Sequence, residues 1–222
     1  MESKFNWVNY NLKRNKEAIK INNFNIKSKI NYLEKGVYKN VRDIYALALL
    51  LSGSHKKRVD VLDYGGNLMS HVNLINKINT KKIYFTIFNP FSPKEIKNKI
   101  NLKIKSTQKL KILPKKKFDL IYFGSVLQYI ENLKLINKKV ISNSKFVLIT
   151  HTPITFDKKS YIAKQSNEKK LFQKIHNLEH IKKILLKKNF QLVFKSINDF
   201  KFAGLKIKKN GTHSLNLLFS KN

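Results

Sequence analysis

The sequence predicts an α/β fold: a Rossmann-like, open and mostly parallel sheet with helices on both faces, closed by a C-terminal antiparallel strand pair. Three observations carry this. Short apolar, β-branched runs alternate with helical patterns along most of the chain. No Gly/Ser- or Pro-rich linker and no internal repeat divides it. After the last helical pattern, two strand-like runs follow each other with no helix between them, which makes them antiparallel partners. The 222 residues, 42% hydrophobic and 11% aromatic, suffice for one such domain with a sizeable core. Residues 58–222 read as that domain and residues 1–57 as a short helical lead-in.

In the lead-in, Phe5 to Ile21 carries apolar residues at loose helical spacing. Arg42 to Leu51 (RDIYALALLL) is an almost continuously apolar helix that must pack on the sheet, and the glycine of SGSHKK ends it. Strand one is Arg58–Asp63 and strand two Lys82–Phe88, with a helix at Leu68–Ile78 between them. Pro93–Ile100 is a short helix with its proline in the first turn, where no donor is lost. Strand three falls in Asn101–Lys105 and strand four in Phe118–Ser125. Leu133–Ile141 is helical, Lys145–His151 is strand five, and Glu168–Lys188 is one long helix. Phe190–Ser196 and Ser214–Ser220 are the closing pair. In such sheets ligands bind at the C-terminal strand edges, where strand order reverses.

The chain has no cysteine, which excludes disulfides and thiolate catalysis and leaves His, Asp and Glu as side-chain metal ligands. The N-terminal segment lacks an apolar signal region, and the longest apolar stretch, near Ile44–Leu51, is too short to span a bilayer. A cytoplasmic protein without a membrane span is expected. Against 13 acidic residues stand 46 Lys+Arg, a net charge of +33. An AT-rich codon bias toward Lys, Asn and Ile accounts for such a balance, and so does a nucleic-acid partner. Either way the protein is expected to adhere to polyanions at low salt.

The stretch VDVLDYGGNLMSH, Val59 to His71, carries the chemistry. Strand one ends in Asp63, and a turn with adjacent Gly65 and Gly66 leads into a helix. A dinucleotide loop needs G-x-G-x-x-G, whose third glycine is absent here, and no G-x-x-x-x-G-K-[ST] loop occurs. A carboxylate at this point suits a ligand with an amino-acid end or a hydroxyl and is poorly suited to a pyrophosphate. The glycines let the backbone approach an adenosine-sized ligand closely.

Asp-x-Gly after strand one, the early helix and the C-terminal strand pair together resemble the Rossmann-like, class I S-adenosylmethionine-dependent methyltransferases, from Arg58 to the end. More narrowly, D-Y-G-G, S-V-L-Q-Y-I-E-N (Ser125–Asn132) and THTPITFDKKSYIAKQS resemble a methyltransferase family found among surface-polysaccharide synthesis genes. Thr152–Pro153, Gln165 and Arg42–Asp43 are further points of likeness. The resemblance implies S-adenosyl-L-methionine as cofactor. It places Asp63 at the cofactor's amino-acid part, Gly65, Gly66, Asn67 and Leu68 in its loop, Phe88 and Asn89 at the ribose, and Ser125, Leu127 and Gln128 along the adenine and substrate pocket. Two positions depart from the pattern. Met69 stands where the loop's last glycine belongs, and Phe88–Asn89 lacks the acidic residue that usually holds the ribose.

Candidate bases are His151, at the end of strand five, and Asp157, in the loop beyond it. Tyr129 and Gln165 read as ordinary surface residues, and Tyr84, Phe85 and Phe88 as core. His176 and His180 lie four apart on the long helix, but the sequence between them is Asn-Leu-Glu and not the H-E-x-x-H arrangement. They read as a solvated helix face, and no metal is expected. The expected function is methyl transfer to an oxygen or nitrogen of a small-molecule or saccharide-type acceptor, within surface-polysaccharide synthesis. The alternatives are an RNA methyltransferase, motivated by the charge, and a catalytically inactive methyltransferase-like binding protein, motivated by Met69 and the absent acid.

Overall fold

The computed structural model describes residues 51–53, 56–67, 83–91, 103–109, 117–130, 132–164, 171–198 and 211–222, together with 13, 45, 48, 49 and 113. β1 (Val59–Tyr64) lies between β2 (Ile83–Phe88) and β4 (Phe118–Gly124), and β3 (Lys103–Thr107) lies outside β2. These four and β5 (Ser144–Thr155) are parallel. β9 (Thr212–Lys221) runs antiparallel beside β5, and β8 (Phe190–Asn198) antiparallel beside β9. The order therefore reverses between β1 and β4, which places the ligand edge there.

The central strands β1, β2, β4 and β5 are buried on both faces, as the middle of a parallel sheet requires. Alternate residues feed two cores. Val59 and Val61 of β1, Leu120 and Tyr122 of β4, and Leu148 of β5 pack with Tyr45, Ala48 and Leu49. Leu62 and Tyr64, Ile121 and Phe123, and Val147 and Ile149 point the other way. They meet α1 (Leu133–Lys139) through Leu133 and Ile136, and α2 (Leu178–Leu186) through Leu178, Ile181 and Leu185. The apolar segment expected to pack on the sheet thus supplies one of its two covers. The helices read at Leu68–Ile78 and Pro93–Ile100 lie outside the described residues, as does most of Phe5 to Ile21.

The long helix expected over Glu168–Lys188 is not one element. Phe172–Asn177 forms β7, which pairs antiparallel with β6 (Tyr161–Lys164) and parallel with the end of β5. The helix α2 begins only at Leu178, where the Asn177 side chain accepts from the His180 backbone N–H at 2.7 Å. No glycine or proline marks the change, so the break rests on that N-cap. His176 is consequently a buried strand residue and not part of a solvated helix face. Strand five also runs past its expected end. A bulge between Ile149 and Thr152 absorbs His151, and β5 continues through Pro153 as its neighbour changes from β4 to β7.

Candidate active site

Three loops converge at the C-terminal edge of the central strands. Gly65 after β1, Ser125 after β4 and His151 in the β5 bulge are all left-handed, with φ of 80°, 56° and 51°. Such conformations cost energy for Ser and His and collect where structure is shaped for function. The Gly65 N–H donates to the Phe88 carbonyl at 2.7 Å, and the Ser125 N–H to the Thr150 carbonyl at 2.9 Å. A side chain at Gly65 would collide with Val126. Glycine there is what allows the loops after β1 and β4 to touch.

Asp63 is fully buried. It lies on the same face of β1 as Val59 and Val61, toward Tyr45 and Tyr122. Those two rings stack with centroids 4.1 Å apart, and Thr150 Oγ1 donates to the Tyr122 hydroxyl oxygen at 3.0 Å. Burial, and secondarily the Asp63 charge, pushes both phenols above their ordinary range. The carboxylate packs against Gly66 so closely that a Cβ there would fall within 3.0 Å of all three carboxyl atoms. Gly66 is therefore required by Asp63 itself.

Asn89 holds this loop. Its Nδ2 donates to the Gly66 carbonyl at 2.9 Å, and its Oδ1 accepts from the Phe91 N–H at 3.0 Å. Both ends of the amide are engaged with the protein, and the residue is buried. Phe88 sits in the core, its ring 4.8 Å from that of Tyr64. Asn67 is partly exposed at the end of the loop. Leu68 and Met69 lie outside the described residues.

In the loop after β4, Leu127 and Gln128 belong to a 3-10 turn, Leu127–Tyr129, and are buried, while Ser125 is exposed. Gln128 Nε2 donates to the Ser125 carbonyl at 3.0 Å. His176 Nε2 lies 3.0 Å from the Leu127 carbonyl. The carbonyl only accepts, so Nε2 carries the proton. Burial, above all, holds this imidazole at about 4, with Lys174 and His180 pressing the same way. The β6–β7 hairpin thereby braces the site loop through a neutral histidine.

His151 is buried in the bulge, and its N–H donates to Asn216 Oδ1 at 3.2 Å. Asn216 Nδ2 donates in turn to Ser196 Oγ at 3.2 Å. Burial lowers the His151 imidazole to about 4, so it is neutral at physiological pH. Asp157 is exposed in the turn after β5, where its N–H donates to Thr155 Oγ1 and its carbonyl accepts from Asn177 Nδ2. Six residues along a strand is about 20 Å. His151 and Asp157 are therefore not brought together, and His151 is the one that stands at the ligand edge. Among the described residues no three His, Asp or Glu side chains gather as a metal site, and no helix is long and apolar enough to cross a membrane. Gln165 lies outside the described residues.

Sequence reasoning missed Val126, Tyr45, Tyr122, Asn216 and His176 as parts of this site. Asn216 left a local signal, a lone amide within the apolar run SLNLLF. The others show only when distant strands are brought side by side.

No family model matches the sequence, and no curated protein matches it. Solved structures do. The magnesium protoporphyrin IX methyltransferase of Synechocystis PCC 6803, solved with bound S-adenosylhomocysteine, is similar with a TM-score of 0.55 and 14% identity. The match covers 90% of this chain and 88% of that one. The 1,6-didemethyltoxoflavin-N1-methyltransferase of Burkholderia thailandensis, solved with its substrate and S-adenosylhomocysteine, gives a TM-score of 0.51 at 16% identity, over 83% of this chain and 84% of that one. The N-terminal domain of EvdMO1, solved in the presence of S-adenosylhomocysteine and D-fucose, gives 0.53 at 9% identity, over 82% and 83%. At these identities the likeness is one of fold: the chain has the Rossmann-like fold of class I methyltransferases.

Proposed function

We propose that the chain is an S-adenosylmethionine-dependent methyltransferase. The observation that carries this is the convergence, at the strand-order reversal, of the Asp63–Gly66 loop, Asn89 and the Ser125–Gln128 loop. The residues fit the cofactor's amino-acid half best. Asp63 supplies a carboxylate for an ammonium group, reached through the bare backbone of Gly65 and Gly66 or through one water. At the ribose the fit is looser, because the Asn89 amide already holds Gly66, so a hydroxyl there shares that amide or meets backbone.

The bound cofactor supplies an electrophilic methyl group on a sulfonium. What the chain contributes is alignment and exclusion of water. Val126 stands directly against Gly65, and Leu127 beside it in the chain is buried. Neutral His151 accepts a hydrogen bond from an acceptor hydroxyl and orients its lone pair. With its pKa near 4 it is a weak proton acceptor, so it serves orientation more than proton removal.

The acceptor reading is an oxygen or nitrogen of a small-molecule or saccharide-type compound. The family resemblance supports it, and EvdMO1, of like fold, was crystallised with a sugar. An RNA acceptor is the second reading, favoured by a lysine-lined cleft between α1 and α2. Calorimetric titration with S-adenosylhomocysteine tests the proposal. A saturable heat is expected. No heat at millimolar ligand overturns it and leaves the inactive binding protein.

A further inference from the structure

A cleft of about 480 Å³ runs between α1 and α2. Lys134 and Lys138 of α1 form one wall, and His180 and Lys183 of α2 with Lys187 at its C-cap the other, with Lys188 at the end. Lys134 and Lys138 are one turn apart; His180, Lys183 and Lys187 also repeat on one helix face. The α2 row alone extends about 10 Å. Among the described residues none of the five lysines pairs with a carboxylate; Glu179 of α2 pairs with Lys182 instead. His180 registers the resulting field. Its pKa is lowered, by burial first and then by Lys134, Lys174 and Lys183.

The positive surface continues onto the β6–β7 hairpin. The register Ile162↔Lys174 and Lys164↔Phe172 puts these four residues on one face, and His176 follows on the same side. Ile162 and Phe172 are 73% and 59% exposed. β7 runs directly into α2 at the Asn177 N-cap, which joins the hairpin to the α2 wall of the cleft. His176 joins the hairpin to the Leu127 carbonyl at the site.

We infer that this continuous surface binds single-stranded RNA, the cleft lysines taking its phosphates and Phe172 a base. Cations interleaved with an exposed aromatic are how single strands are held without sequence preference. The cleft is concave and lies between adjacent helices, a shape that suits a single strand better than a flat bilayer or a duplex. RNA offers such single-stranded loops and ends as a matter of course. That the strand delivers an acceptor to the site rests on the methyltransferase reading; the binding surface does not.

The test uses the full chain and a short fluorescein-labelled oligouridylate, followed by anisotropy across a salt series. One variant carries Lys134→Gln, Lys138→Gln, Lys183→Gln and Lys187→Gln. A control removes the same charge at exposed positions outside the cleft: Lys57→Gln, Lys105→Gln, Lys109→Gln and Lys117→Gln. The cleft variant is expected to lose affinity on the order of a hundredfold near 150 mM salt, and its salt slope to fall by about 3. The control should stay within about threefold of wild type, since it loses no phosphate contact. A quadruple Lys→Arg variant of the cleft should retain binding, which separates loss of contact from misfolding. Phe172→Ala should cost about tenfold. Equal losses in cleft variant and control, or no wild-type binding at 150 mM salt, overturn the inference. So does cleft-dependent binding of phosphatidylserine vesicles without RNA binding. Titration of the same variants with S-adenosylhomocysteine keeps the two readings apart. RNA binding without cofactor heat sinks the enzyme, and cofactor heat without RNA binding sinks the surface.

Discussion

Gly66→Ala is the sharpest test of how the loop after β1 is built. An added methyl would enter the space already held by the Asp63 carboxyl, with Cγ and both oxygens inside the closest approach that Cβ atoms make. A carboxyl on a single methylene cannot swing aside as a long side chain does. It is also enclosed, with Tyr45 and Tyr122 close on its own face of the sheet. Either Asp63 leaves its rotamer or the loop moves and strains the Asn89–Gly66 hydrogen bond. Overpacking of this kind costs about 1–3 kcal/mol, and the lost hydrogen bond about 1 more. The sum should appear in urea unfolding at pH 7 as about 2–4 kcal/mol. In an Asp63→Ala background the methyl has room, so the same substitution should cost less than 1 kcal/mol. The cycle thus predicts a coupling of about 2 kcal/mol, whatever Asp63→Ala does by itself. Additive effects, or a single-mutant cost below about 0.5 kcal/mol, would show that Asp63 does not pack on Gly66.

Three further expectations are independent of that cycle. Asp63→Ala should weaken S-adenosylhomocysteine binding by roughly 10- to 100-fold, the worth of one charge-assisted hydrogen bond, and unchanged calorimetric affinity would place the cofactor elsewhere. His176, with an ordinary value of 6.5 and a folded value of about 4, takes up a proton in the unfolded chain before the folded one. Its contribution is present above pH 6.5 and is lost as the pH falls toward 4. Between pH 7 and pH 5 this amounts to about 2 kcal/mol, which His176→Met should remove from the measured acid destabilisation. An identical pH slope in that variant would refute the buried neutral imidazole. Asn189 follows α2 with φ of 63° and donates to the Leu186 carbonyl, so Asn189→Gly should stabilise by about 0.5 kcal/mol. A midpoint raised by about 1–2 °C in a thermal melt is the expected reading, and a lowered one would contradict it.

Much of the architecture was legible before any coordinates. Both-face burial writes itself into the chain as unbroken apolar strands, so β1, β2, β4 and β5 stood out, and the absence of a helix after Phe190 declared the final antiparallel pair. The Asp63–Gly65–Gly66 turn was equally visible, because a strand-end carboxylate beside two glycines is a local pattern. Where the reading failed, the cause was local ambiguity. FQKIHN alternates over too few residues, and too close to a true helix, to be separated from it without seeing β6 beside it. Other assignments depended on partners far apart in the chain. That the Asn89 amide closes on Gly66, 23 residues away, showed only once β1 and β2 were side by side. His176 looked solvated until β7 met the turn after β4, 49 residues away. The sequence by itself determined β1 to β5 and the closing pair β8 and β9, and where a ligand edge must lie, but neither β6 nor β7. Only the tertiary structure decided which polar groups face that edge and which are spent holding it, because a hydrogen bond between distant loops leaves no periodicity behind.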